Sequence, residues 1–304
     1  MKLNPITPRD YPELQKYFEN QSHALCAYSL SSALVWKNDF YRPGGAIDGD
    51  ALVISGEFSD PEKQDYLLLP VSGERRYSPG ELRRLARRLD FERFSFAPLE
   101  YIDAFGSSEF KRFFDIVERK KYHDYVYRTE NLAQLPGNRH SKKRNLINQF
   151  SRSHEAKNRT LIEPITPGNA DECLEFLDLW CEERDCDVNP REDLACERRA
   201  AENALRNIDR LGFRGILLRI DRTVSAFGIA STLTREMGAL HFEKAFAGIK
   251  GLYQHFDREC ARRLFKGLTY INKESDMGVE GLAKAKKSYQ PAMMVKSFDL
   301  VLKS

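Results

Sequence analysis

The sequence predicts an α+β chain made of two similar halves, each a mixed sheet with flanking helices. Three observations carry this expectation. A chain of 304 residues suggests about two domains at roughly 100–200 residues each. A segment near the start, ITPRDYPELQKYF from Ile6, is matched by ITPGNADECLEFL from Ile165, an offset of 159 residues, about half the chain. Both halves then run strands in series, followed by helix, strand, helix and strand, the order of an α+β sheet rather than of an alternating parallel one.

The elements follow in order. Each ITP segment reads as a short strand, a turn with a helix-start signal and an amphipathic helix. Ala51–Ser55 and Tyr66–Val71 are β-rich apolar runs. Pro79 opens a helix with Leu82, Leu85, Ala86 and Leu89 on one face and Arg83, Arg84, Arg87 and Arg88 on the other. Phe94–Phe96 reads as a strand, Phe110–Glu118 as a helix and Tyr122–Tyr127 as a strand. In the second half Gly215–Ile220 and Ser225–Leu233 are strands joined by the turn signal Asp221-Arg222. Ala239–Phe246 is a strand and Gly251–Phe265 a helix, with Leu252, Phe256, Cys260 and Leu264 on one face. Leu268–Asn272, a short helix at Leu282–Ser288 and a single strand at Met293–Leu302 complete the chain. The breaker pair Pro136-Gly137 marks a join. The expected domains are therefore 1–136 and 161–304, with a basic linker helix over 137–160.

Composition and charge exclude several classes. No apolar run approaches the ~18 residues that span a bilayer, and the N-terminus has no apolar signal core. The chain is expected in the cytoplasm. Peripheral membrane contact through the Arg83–Arg88 face is an option, although such faces are commonly ordinary surface. The six cysteines, Cys26, Cys173, Cys181, Cys186, Cys196 and Cys260, lack paired C-x2-C spacing, so reduced thiols are expected and no metal site. No Walker loop, G-x-S-x-G elbow or G-x-G-x-x-G fingerprint is present. Nor does the sequence suggest a Ser/His/Asp or Cys/His arrangement.

The net charge of +3 conceals a polarised chain. Residues 137–159 hold seven basic residues against Glu155, and residues 171–187 hold eight acids against Arg184. The basic stretch is either a solvated helix face or a dock for phosphate. In the second reading Ser141 caps the helix, and Lys142, Lys143 and Arg144 lie beside its free N–H groups.

Two C-terminal segments bear chemistry. HFEKAF puts Glu243 and Lys244 inside an apolar strand, on opposite faces. A carboxylate there is costly unless paired or hydrated, so Glu243 is either a cross-sheet salt bridge or a general base or amine-binding group. INKESDMGVEGLAKAKKSYQP, residues 271–291, brings Asn272, Glu274, Asp276, Lys284, Lys286, Lys287 and Tyr289 to a strand-to-helix junction. It is either a catalytic lip or a charged surface loop.

GNRHSKKRNLINQF, HFEKA and INKESDMGVEGLAKAKKSYQP resemble signatures of bacterial proteins related to the C-terminal domain of phosphatidylglycerol lysyltransferase. The resemblance extends over most of the chain and is densest over residues 128–149 and 240–291. It implies tandem GNAT-like (acetyltransferase-type) domains, an architecture shared with Fem-type aminoacyltransferases. Glu243, Lys244, Gly251, Tyr253, Asn272, Glu274, Asp276, Gly278, Gly281, Leu282, Lys284, Lys286, Ser288 and Tyr289 match its pattern. Three features depart from it. The chain has no flippase portion; AGIKGLYQ carries Lys250 where an acyl-CoA loop needs a small residue; and Ala283 stands where an arginine is expected.

The resemblance implies an aminoacyl or acyl transferase. The expected donor is aminoacyl-tRNA docked on Lys142, Lys143 and Arg144, and the acceptor an amine or hydroxyl on a small molecule, peptide or lipid headgroup. No further cofactor is expected. Glu243 or Asp276 would bind the donor ammonium or take the acceptor's proton, and Lys286 would stabilise the oxyanion. Lys244, Tyr253, Asn272, Glu274 and Tyr289 would line the substrate. The alternatives are an acyl-CoA-dependent N-acyltransferase and a non-catalytic module that binds RNA or an anion.

Overall fold

The computed structural model describes residues 1–183 and 193–303, without the side chains of residues 193–195. Cys186 and the last acids of the 171–187 run lie outside the described residues. The first half supplies β1 (Asn4–Pro5), β2 (Tyr41–Asp48), β3 (Ala51–Phe58), β4 (Tyr66–Leu67), β5 (Arg93–Pro98), β6 (Phe114–Glu118) and β7 (Asp124–Arg128). The second supplies β8 (Thr160–Pro164), β9 (Arg214–Ile220), β10 (Thr223–Thr232), β11 (Met237–Ala245), β12 (Tyr270–Asn272), β13 (Met293–Val295) and β14 (Ser297–Leu302).

These strands form two mixed seven-stranded sheets, as the α+β expectation requires. The first has the order β1-β2-β3-β4-β5-β14-β6, and the second, read from its matching edge, β8-β9-β10-β11-β12-β7-β13. Every neighbouring pair is antiparallel except β4 with β5 and β11 with β12. The two orders are the same pattern, with one exchange: each half places its last strand at the sixth position of the other half's sheet. The expected divisions at residues 136 and 160 therefore do not coincide with the sheets, because β7 precedes the join and β14 ends the chain.

The ITP repeat occupies equivalent edges. Pro5 pairs opposite Gly44 and Pro164 opposite Ile216, and the Ile6 and Ile165 amides donate to the carbonyls of Pro43 and Gly215. Thr7 then closes a capping box with Asp10, whereas Asn169 accepts from the Thr166 amide and opens the helix Ala170–Glu182. The helix Pro79–Leu89 starts from a Ser78–Glu81 capping box, and Leu82, Leu85 and Ala86 are buried. Each buried leucine contributes about 1.5–3 kcal/mol.

Tyr66–Val71 is regular strand only over Tyr66–Leu67, and two further expected elements divide. Phe110–Glu118 is a short helix, Ser107–Lys111, followed by β6, because Phe114-Asp-Ile-Val-Glu alternates and pairs along β14. Met293–Leu302 is two strands, divided at Lys296, which enter different sheets. The Asp221-Arg222 turn holds as expected, with both residues at positive φ.

One apolar core runs through both halves, from Leu52 and Phe94 to Phe176, Phe227 and Leu300. A second lies on the far face of the second sheet, under the helix Leu252–Leu264, and includes Phe150, Leu218, Phe256 and Ile271. Among the described residues, no helix is long and apolar enough to cross a membrane.

Candidate functional site

The second sheet splays where its chemistry sits. β11 pairs with β12 only through Met237, Gly238 and Ala239, and beyond them to Ala245 it keeps β10 as its partner on the other side. Glu243, opposite Gly228 of β10, stands where the β12 side is open. β12 ends at Asn272, which is fully buried. The Asn272 amide donates to the Ala24 carbonyl and to Asp124, both at 2.8 Å, and its Oδ1 accepts from the Glu274 N–H at 2.6 Å. Glu274 takes a left-handed conformation, φ +59°, so Asn272 holds a strained residue in place.

Lys286 returns to this loop from the helix Glu280–Lys287. Its ammonium donates to the carbonyls of Lys273, Glu274 and Ser275 at 2.6, 3.2 and 2.6 Å. An ammonium has three N–H donors, and all three are engaged. In this arrangement Lys286 braces the loop and presents no free donor to an oxyanion, the role expected of it. Burial draws its pKa down. Asp276 accepts from the Tyr125 hydroxyl at 2.5 Å and from the Gly278 N–H at 2.8 Å, which fixes the far side of the loop.

Glu243 pairs with Lys273 at 2.8 Å, and Lys273 also reaches Asp257 at 2.7 Å. Burial first and the Asp257 charge second push the Glu243 carboxyl up, to about 7. Burial opposes the Lys273 charge, but Asp257 and Glu243 outweigh it and hold the ammonium well above its ordinary range. Tyr289 lies against the same group, with Lys273 Nζ 5.6 Å from its ring, and burial raises its phenol. The opposite faces expected of Glu243 and Lys244 hold. Lys244 points to the opposite side, where it meets Glu197 at 2.6 Å and the Trp180 ring at 4.2 Å. Tyr253 is there too, accepting from the Trp180 indole at 3.3 Å. Lys244 and Tyr253 thus lie apart from Glu243.

A relay that the sequence reading missed joins the two halves of the chain. Glu274 Oε1 lies 2.7 Å from His241 Nδ1, and His241 Nε2 lies 2.7 Å from Ser231 Oγ. Ser231 Oγ is 3.0 Å from Ser29 Oγ. Ser29, Ser231 and His241 are buried. With Nδ1 protonated toward the carboxylate, Nε2 accepts from Ser231. The available signal was His241, two residues from Glu243, but the register shift of β10 on β11 falls at His241 and breaks the alternation there. Its partners come from β10, from the first half and from a left-handed loop, and spacing cannot reveal these.

Glu274 opens into a cavity of about 530 Å³ between the sheets, with Cys26, Ser275 and Met277 on the same wall. Much of the remainder is aromatic, including Trp36, Tyr41, Phe58, Tyr66, Phe96 and Tyr122, with Arg93, Arg119 and Asp299 beside them, and Asp60, Glu62, Lys63 and Gln64 add a polar stretch. Glu243, Asp276 and Lys286 do not line it. Another cleft, of about 490 Å³ around Ile162–Pro167 and Arg214–Ile216, contains none of the expected site residues.

The basic helix Ser141–Ser153 follows a 3-10 turn, Asn138–His140. His140, not Ser141, is its cap residue, and it makes no side-chain capping bond. Lys142 is exposed. Lys143 donates to the Ser288 carbonyl and hydroxyl at 3.0 and 2.8 Å and stacks 4.2 Å from Tyr289. Arg144 donates to the carbonyls of Leu135 and Gly137 at 2.5 and 2.7 Å. Gly251 is required behind this helix: its φ is +83°, and a Cβ there would meet the Leu146 carbonyl oxygen at 2.2 Å.

The family described as phosphatidylglycerol lysyltransferase, C-terminal, matches residues 22–300. A Bacteroides thetaiotaomicron protein of unknown function is 29% identical, with both chains covered in full and a TM-score of 0.88. The C-terminal domain of a candidate lysylphosphatidylglycerol synthetase from Agrobacterium fabrum is 11% identical. That alignment covers 98% of this chain and 92% of that one, with a TM-score of 0.64. A tandem GNAT protein from clavulanic acid biosynthesis aligns over 98% of this chain and 97% of its own, at 9% identity and a TM-score of 0.46. No curated protein matches the sequence.

Proposed function

The chain belongs to the phosphatidylglycerol lysyltransferase C-terminal family, and from that premise we propose that it is an aminoacyltransferase that moves an aminoacyl group from aminoacyl-tRNA to an amine or hydroxyl acceptor. One observation carries the reading. Glu274 is a carboxylate fixed at a cavity wall, held by Asn272 through its backbone and by His241 through its side chain. This suits a group that takes a proton from an acceptor nucleophile. An aminoacyl ester is already activated, so positioning supplies much of the rate, and no covalent intermediate is needed.

The other candidates support this group. Asn272 and Lys286 shape the loop, Asp276 anchors it, and the Glu243–Lys273–Asp257 cluster stands behind it. Exposed Lys142 is the residue of the basic helix best suited to tRNA phosphate, because Lys143 and Arg144 are engaged with the protein's own oxygens. Their substrate-binding roles belong to this proposal.

The test is transfer of a labelled amino acid from a set of aminoacyl-tRNAs, with acetyl-CoA as the competing donor. Glu274→Gln should abolish transfer while leaving the tRNA gel shift intact. Full transfer by that variant, or transfer from acetyl-CoA alone, would refute the proposal. A gel shift without transfer from any donor would favour a non-catalytic binding module.

A further inference from the structure

We propose that the cavity between the sheets is the acceptor site, and that it takes a free α-amino acid with an aromatic side chain, its carboxylate on Arg119 and Arg93 and its amine toward Glu274. This deepens the transferase reading and rests on it. At about 530 Å³ the cavity falls in the range of small-molecule sites, which combine apolar walls with a few placed polar groups.

The Arg119 guanidinium is held between two rings, 4.6 Å from Phe96 and 4.1 Å from Tyr122, which fixes the plane of its donor fork. Arg93 and Arg119 share one acid, Asp299, at 3.6 and 3.5 Å. Those distances are ion contacts without hydrogen bonds. Asp299 is 8% exposed, and its Oδ1, like Arg93 Nε, is buried without a hydrogen-bond partner in the protein. Asp60, Glu62 and Lys63 also line the cavity, but beside the rings two guanidiniums share one carboxylate that hydrogen-bonds neither. An incoming carboxylate supplies the bidentate acceptor they lack.

Glu274, from the loop after β12, supplies the complementary anion for an amine. The ligand therefore carries both charges. The rings between them provide stacking surface for an aromatic side chain. A lysine side chain would bring a second cation toward Arg93 and Arg119. Backbone strain gathers at the same place: Phe96, Glu274 and Met277 all line the cavity and all have positive φ. Bulky residues hold such conformations where the surrounding structure enforces them, often at functional sites.

A free carboxylate also separates acceptor from donor, because the donor's carboxyl is tied up in its ester. In the reaction, the acceptor amine attacks the ester carbonyl. The amide C–N bond forms and the ester C–O bond breaks. The amine's proton passes to the Glu274 carboxylate and from there to the departing ribose oxygen.

The experiment is calorimetric titration of the full chain, without donor, with L-phenylalanine, L-phenylalaninamide, 3-phenylpropionate and L-lysine. Phenylalanine should bind saturably. The amide and the phenylpropionate should each bind at least tenfold more weakly, and lysine should not saturate. Arg119→Gln should reduce phenylalanine affinity to that of the amide and leave the amide's own affinity unchanged. Equal binding of the amide, lysine matching phenylalanine, or no saturable phenylalanine binding would each overturn the proposal without the need for a variant. Donor transfer to another acceptor with no phenylalanine binding overturns the acceptor assignment alone. Phenylalanine binding with no transfer from any donor overturns the transferase reading and the acceptor role together, and the binding site stands.

Discussion

Asp124 is where the exchanged strand makes its costliest contact. It opens β7 and is 1% exposed. Its Oδ2 accepts from the Cys26 N–H at 2.7 Å and from the Asn272 amide at 2.8 Å, while Cys26 Sγ lies 3.6 Å from Oδ1. Burial outweighs these donors and lifts the carboxyl from 3.8 to about 6. Between those values the native state holds a proton that the unfolded state has released. The stabilisation is therefore fully present below about pH 4 and is lost as pH rises through about 6. A shift of about two pH units corresponds to about 3 kcal/mol. Asp124→Asn removes the titration and keeps the shape. Its Oδ1 can accept the Cys26 and Asn272 donors, and its Nδ2 can face the sulfur. The variant should match wild type near pH 4 and exceed it by about 3 kcal/mol at pH 7.5. That is about 6 °C in melting temperature at roughly 2 °C per kcal/mol for a large chain. Urea and thermal unfolding of both proteins, taken every half unit from pH 4 to 7.5, isolate the Asp124 contribution together with its charge coupling to Glu274, because carboxylates that do not interact with it cancel in the difference. A difference that stays flat across this window would refute the reasoning, as would a variant less stable than wild type at pH 7.5.

Other perturbations test the remaining contacts. Lys273→Ala leaves Glu243 and Asp257 buried against each other, and should cost about 3–5 kcal/mol in chemical denaturation; Glu243→Gln in that background should recover part of the loss. Lys142→Glu should weaken the tRNA gel shift severalfold at low salt with the melting temperature unchanged. Arg144→Ala should instead destabilise by about 1–3 kcal/mol, because the Leu135 and Gly137 carbonyls lose a charged donor. His241→Phe keeps the ring volume but strips Glu274 and Ser231 of their partner; transfer should fall at least tenfold in kcat, and an unchanged kcat would remove His241 from the positioning of Glu274.

What the sequence made legible divides along a physical line. Local signals survived folding. The ITP repeat marks matching sheet edges, Pro79 opens its helix, and Asp221-Arg222 closes its hairpin, because each depends on neighbours a few residues away. The alternation that set Glu243 and Lys244 on opposite faces survived for the same reason. The exchange of β7 and β14 was not legible, because Met293–Leu302 is continuous in pattern and only pairing with distant strands divides it at Lys296. The same limit governs the site. Glu274 was visible as an acid in a polar loop, but its importance depends on three things no spacing encodes: a left-handed backbone, a histidine from β11 and a cavity walled by the other half. Lys286 shows the reverse case. Its residue type and position suggested an oxyanion donor, and geometry engages all three of its protons with the loop that carries Glu274. In a duplicated fold whose halves trade strands, the chemistry therefore collects where the halves meet, and the residues nearest to it in sequence act largely as its scaffold.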